Sequence, residues 1–289
     1  MIRAYPLTLE NVTFRRHGIV GIYALGDKIA YVHFAFSSVT PEDYAKDKCT
    51  PSYVLLDTFP KDFSDHKQAS LFYYQEAILS DHDAVCSWEN GRFVLNTKAY
   101  TGFNTSIAKL IEIQDTQLIE IGDSPAPTAP TYPDSKDHIF GDFVIRMASP
   151  FVMVCRSQAS GQMIWKLRLT AYLYTEVEER NGILYFGTAG KGGRFYGVSL
   201  ADGHILFDYN TGGTVNFLWY ENHILLADSQ NKPVLIDPTN GSEISHIEFG
   251  QFTLTVDQYM LIEEDRLYAA ASGANAMYAV CADLPCLKA

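Results

Sequence analysis

The sequence predicts an all-β chain folded as one β-propeller of six four-stranded blades, the ring closed by an N-terminal strand. Three observations predict it. An Asn- or Asp-bearing turn keeps returning along the chain, a glycine turn recurs between its later copies, and strand-like sequence at the N-terminus has no place in the first blade.

The first turn splits pairs of runs in which apolar residues alternate. Asp27 precedes IAYVHF, Asn90-Gly91 precedes RFVLN, and Gly141-Asp142 precedes FVIRM; Asn181-Gly182 precedes ILYFGT, Asn222-His223 precedes ILLADS, and Asp265-Arg266 precedes LYAAAS. Asn and Asp tolerate the left-handed backbone of tight hairpins, and a period of two marks strands. Turn positions 27, 90, 142, 181, 222 and 265 lie 63, 52, 39, 41 and 43 residues apart. The second turn carries Gly161, Gly203 and Gly241, spaced by 42 and 38 residues. Two hairpins in about 40 residues make one propeller blade. Six turns of the first kind mean six blades, with seven as the alternative count. A β-sandwich is the competing architecture, but it has no such internal period. The last blade runs out of chain: after 276–282 only ADLPCLKA remains, and Pro285 is a poor residue for a paired strand. RAYPLTL or NVTFRR is therefore expected to supply the missing outer strand, leaving no open seam.

Around the glycine turns the chain resembles the PQQ-like, or quinoprotein-type, propeller repeat. Ser160-Gly161-Gln162-Met163-Ile164-Trp165-Lys166 is similar to its T-G-x-x-x-W stretch, and Asp202–Phe207 and Thr239–Ile244 resemble weaker copies. The likeness covers 140–250 and reaches the first third only through hairpin spacing. It implies that Trp165 docks one blade against the next, with Phe207 and Ile244 near the equivalent places. The quinone-binding members of that family are usually eight-bladed and secreted, with adjacent cysteines and a calcium site. This chain has no Cys-Cys pair, so no cofactor and no metal are expected.

Additions to the average repeat are where function is sought on such a scaffold. The domain is read as a single unit over 1–289, with insertions at 39–51 and 60–70 and a Pro-rich inter-blade loop at 123–137. Thr40-Pro41-Glu42-Asp43 reads as a helix start. Strands are lettered A to D from the channel outward. B–C loops and D–A connections then share one face of the ring, and A–B and C–D turns the other. The 39–51 and 123–137 additions fall on the first face. There Glu42, Asp43, Tyr44, Asp47, Tyr100, Phe103, Tyr132 and Asp134 form the candidate protein-binding set, aromatic anchors beside acids. Neutral insertion is the competing reading of these loops. On the opposite face nearly every A–B turn carries an acid: Asp27, Glu89, Asp142, Glu178, Glu179, Glu221, Glu263, Glu264 and Asp265.

Charge narrows the partners. With 22 basic and 34 acidic residues the net charge is −12, which repels phosphate and makes nucleic acid and anionic membrane poor partners. No apolar run reaches the roughly 20 residues of a membrane span. No secretory leader is visible at the start, so a cytoplasmic, monomeric chain with reduced thiols is expected. Cys281 and Cys286 are the nearest cysteine pair. No HExxH, GxSxG or phosphate-loop order occurs. Asp81-His82-Asp83 is the densest titratable cluster, placed at the start of an inner strand. These readings converge on a non-enzymatic binding module for a basic protein partner, of which an immunity or antitoxin-like inhibitor is one form. The alternative is a hydrolase or lyase with a dispersed site at the channel.

Overall fold

The computed structural model describes residues 1–289 except 11, 13, 38–51, 74–77, 80–83, 103–104, 125–132, 228–231, 255–258, 275 and 286–289. It contains six antiparallel sheets and, among the described residues, no α-helix. Blade 1 consists of Phe14–Leu25, Lys28–Ser37, Ser52–Pro60 and Lys67–Tyr73. Blade 2 has a split inner strand, Ile78–Leu79 and Val85–Glu89, then Arg92–Gly102, Thr105–Gln114 and Gln117–Ser124. His138–Phe140, Phe143–Ser149, Val152–Ser157 and Met163–Arg168 make blade 3. In blade 4 the split strand Tyr172–Leu173 and Glu178–Arg180 precedes Ile183–Ala189, Arg194–Ser199 and Ile205–Asn210. Blade 5 is Phe217–Tyr220, His223–Ala227, Pro233–Ile236 and Glu243–His246. Blade 6 comprises Thr253–Leu254 with Met260–Glu263, then Arg266–Ser272, Met277–Asp283 and the N-terminal Ile2–Pro6.

Both repeating turns stand where the sequence put them. Asn90, Asn181, Glu221 and Asp265 have positive φ at the A–B turns. The C–D glycines Gly161, Gly203 and Gly241 have φ of 69°, 71° and 70°, a region in which a Cβ is strained. Closure uses the first of the two spare runs. Ile2–Pro6 pairs antiparallel with Met277–Asp283, from Ile2↔Ala282 to Pro6↔Tyr278. The second run divides, and Phe14 onward begins the inner strand of blade 1. Residues 60–70 likewise divide into a C–D turn and the first residues of Lys67–Tyr73.

Apolar side chains on both sheet faces fill the junctions between blades, as double-sided burial requires. Val32 and Leu56 of blade 1 meet Leu95 and Ile111 of blade 2. At the ring seam Ile29, Tyr31 and Phe59 of blade 1 meet Tyr268, Ala270 and Cys281 of blade 6. Hydrogen bonds lock that seam. Tyr31 Oη donates to Val280 O at 3.1 Å, Tyr268 Oη to Lys61 O at 2.5 Å, and Lys61 Nζ reaches Glu264 at 2.9 Å.

Trp165 lies where the repeat resemblance places it, 6% exposed between blades 3 and 4. Its indole N–H donates to Leu200 O at 2.8 Å, and the ring lies on Gly203, where an added Cβ would be 2.6 Å from Trp165 Cδ2. Phe207 repeats the arrangement over Gly241, at 2.4 Å from such a Cβ. Ile244 does not: it is 42% exposed. Strand register explains the correction. Trp165 pairs Cys155 and Phe207 pairs Gly197, each beside a bulge, and the matching residue in blade 5 is Ser245, opposite Leu235.

Candidate functional site

Of the residues singled out on the extended face, Glu42, Asp43, Tyr44, Asp47, Phe103 and Tyr132 lie outside the described residues, as do the helix start at 40–43, the Asp81-His82-Asp83 cluster and Cys286. Asp134 is exposed in the 3-10 turn Pro133–Ser135. Tyr100 belongs to strand B of blade 2, paired with Ser106, rather than to the B–C loop expected for 100–104. Long strands run the pairing on to Gly102↔Thr105, through a stretch whose Thr97, Tyr100 and Thr101 favour extended backbone.

The turn face is described on every blade. Much of its acidity closes the turns themselves. Asp142 Oδ1 accepts Ala159 N–H at 2.8 Å, and Glu179 Oε1 accepts Gly182 N–H at 2.6 Å. Asp237 Oδ1 accepts the Thr239 N–H and hydroxyl, and Glu178 Oε2 accepts the Trp219 indole N–H at 2.8 Å. Donated hydrogen bonds favour the ionised form, so the Asp142 carboxyl, bonded by Ala159 N–H and the Ser157 hydroxyl, and that of Asp237, bonded by Thr239, lie below the usual carboxylate range. Asp27, Glu221 and Glu264 remain exposed. Cations on this face are engaged: Lys28 with Asp115, Lys61 with Glu263 and Glu264, and Arg180 stacked 3.6 Å above the Trp219 ring. One residue before the A–B turn pair Glu89-Asn90, Trp88 is 67% exposed. Between blades 4 and 5 the same face opens a cleft of about 430 Å³ lined by Tyr185, Trp219, His223, Asp237 and Thr239.

A buried polar chain crosses blade 1. His17 Nε2 lies 2.5 Å from His33 Nδ1, His33 Nε2 lies 2.5 Å from Asp57 Oδ2, and Asp57 Oδ1 lies 2.5 Å from His66 Nε2. Gln68 Nε2 donates to the same Asp57 oxygen at 2.9 Å and to Thr8 O at 2.8 Å. His33 and Asp57 are wholly buried, while the His66 ring packs on Phe59 and on Tyr5 of the closing strand. An ionised Asp57 accepts N–H bonds from His33, His66 and Gln68, and the His17 and His33 ring nitrogens face each other across one shared proton. Burial alone would raise the Asp57 pKa, but the bonds from His33 and His66 outweigh it and hold it at about 2. Burial, then the neighbouring His33, pushes His17 down to about 3, so it stays neutral. The cleft at blades 4 and 5 is not lined by these residues. The chain ties strands A to D of blade 1 to the closing strand. Among the described residues no group of three His, Cys, Asp or Glu is placed to hold a metal ion.

Only its place next to a turn pointed to Trp88 as an exposed anchor, and the histidine chain was hidden because its members lie 9–24 residues apart. Asp57, a lone acid inside the apolar strand SYVLLDTFP, was the available signal.

No family model matches the chain, and no curated protein does. Among solved structures it is similar to the computationally designed Ika8 protein (9% identity over 94% of this chain and 98% of that one, TM-score 0.44). BamB from Moraxella catarrhalis (9% identity, 98% of both chains, TM-score 0.42) and the AfRom2 CNH domain (12% identity, 99% of this chain and 100% of that one, TM-score 0.39) are also similar. No helix among the described residues is long and apolar enough to cross a membrane.

Proposed function

We propose that this propeller is a non-enzymatic binding module that recognises a basic protein surface through its turn face, inhibition of that partner being one outcome. The observation that carries the reading is Trp88. An indole 67% exposed beside the acids of the A–B turns is a hot-spot anchor within a field that attracts cations. The acids serve twice: they close the turns and leave net negative charge facing solvent. The Gly-x-x-x-aromatic docking at Trp165 and Phe207 supports placing the scaffold with PQQ-like repeats. The enzymatic alternative has one observation in its favour, the His17–His33–Asp57–His66 chain. That chain is buried and bonded end to end within the ring seam, which suits a structural tie better than a reacting group.

The test is affinity capture from the source cell, followed by association kinetics with the captured protein. Trp88→Ala is expected to weaken capture tenfold or more at unchanged melting temperature, since the side chain packs little. Asp27→Asn with Glu221→Gln and Glu264→Gln is expected to slow association and flatten its salt dependence. Should shortening 126–132 abolish capture while these variants leave it intact, recognition belongs to the extended face with Tyr132 and Asp134, and the turn-face reading is wrong.

A further inference from the structure

Blades 3 to 5 share a docking rule that breaks at one junction. The residue four after each C–D glycine is Trp165, Phe207 and Ser245. Trp165 covers Gly203 and Phe207 covers Gly241. Ser245 has no ring to offer, and blade 6 has no C–D turn glycine to receive one. Strand C of blade 6 ends at Asp283, and strand D is the N-terminal Ile2–Pro6. No turn joins them; Met1 and Asp283 stand at the end of the paired strands, with backbone and terminal ammonium bonds of 3.2 and 2.9 Å. Knob and seat are therefore both missing, and a gap of about 550 Å³ stands open there. Its walls are Ser245, Ile247, Ile2, Ala282, Leu284 and Pro285.

We propose that this gap is a socket for an aromatic side chain, followed by a basic residue, on a partner protein. The aromatic is argued from the chain's own usage, because the two preceding junctions bury a Trp and a Phe in the corresponding place. The basic neighbour is argued from charge. Glu248 lines the gap, is exposed, and has no ion-pair partner among the described residues, whereas Asp283 at the rim is already met by the Met1 ammonium, Arg3 and Arg266, so Glu248 is the carboxylate left for a base. An inserted ring would fill the space between the buried Ile247, Ala282 and Leu284 and the half-buried Ile2 and Pro285 with close packing, the condition under which one aromatic anchors an interface. The socket is independent of the turn-face reading, because neither Trp88 nor the A–B turn acids line it.

The probe is the blocked tripeptide Arg-Trp-Lys, titrated into the full chain and followed by backbone amide chemical shifts. Expected are shifts confined to 245–248 and 282–285 and at least a tenfold loss of affinity for Arg-Ala-Lys. Glu248→Gln should weaken binding several-fold. Ser245→Trp restores the internal plug, so it should abolish peptide binding and raise the melting temperature. Leu284→Ala, which widens the socket, is the second variant and should weaken binding even if Ser245→Trp fails to fold. Scattered shifts, binding indifferent to both variants, or binding seen only after residues 286–289 are removed would overturn the proposal, the last by making the chain's own tail the occupant.

Discussion

Replacing Gly203 and Trp165 singly and together isolates the contact that docks blade 3 on blade 4. Trp165 is 6% exposed and hydrogen-bonded to Leu200 O, so Trp165→Ala should cost about 3–5 kcal/mol, including about 1 kcal/mol for the lost bond. Gly203→Ala carries two separable penalties. At φ +71° an alanine costs roughly 1–2 kcal/mol whatever surrounds it. Its Cβ would also stand 2.6–2.8 Å from three atoms of a held indole, an overpacking worth about 1–3 kcal/mol. Removing the indole removes only the second penalty. The double variant should then be less destabilised than the sum of the singles by about 1–3 kcal/mol. Gly161→Ala is the built-in control, with φ +69° and nothing within 4 Å of the added Cβ. It should show the backbone penalty alone. Urea unfolding monitored by far-ultraviolet circular dichroism gives all five free energies. Additivity of the pair within about 0.5 kcal/mol, or a Gly161→Ala as costly as Gly203→Ala, would refute inter-blade docking as the reason for these glycines.

Deleting residues 1–6 should lower stability cooperatively across the ring, since Ile2–Pro6 is the outer strand of blade 6; hydrogen exchange that rises only in 277–283 would contradict this. The histidine chain predicts acid sensitivity. His17 has a folded pKa near 3 against 6.5 unfolded, so between those values only the unfolded chain takes up the proton, and stability falls as the pH drops. The loss is on the order of 5 kcal/mol at the limit, at about 1.4 kcal/mol per unit. Asp57, held near 2 against 3.8, adds a further loss below about pH 4. His17→Phe should flatten the slope of stability between pH 6.5 and 3, and an unchanged slope would remove His17 as its source. Asp57→Asn leaves His33 or His66 without a charged acceptor and should cost about 3 kcal/mol at neutral pH, read from the unfolding midpoint.

Blade number, turn positions and Trp165 were readable from the chain because each rests on a local rule. A turn needs a residue that tolerates positive φ, a strand needs alternation, and both leave their marks within a few positions. Even the closing strand was legible as a shortage, since the last blade lacked chain, though only pairing energy across 275 residues chose Ile2–Pro6 over 11–16. What tertiary structure decided is diagonal and non-local. His17, His33 and Asp57 meet because three neighbouring strands set them on one face of blade 1, and His66 reaches Asp57 from the C–D connection, a matter of register that no spacing announces. The same bulge stands beside Trp165, Phe207 and Ser245, so Ser245 holds the third docking position and its neighbour Ile244 falls on the solvent side of the strand. The junction stays open because Ser245 carries no ring and because the outer strand of blade 6 comes from the other end of the chain, so no C–D turn offers a glycine seat there.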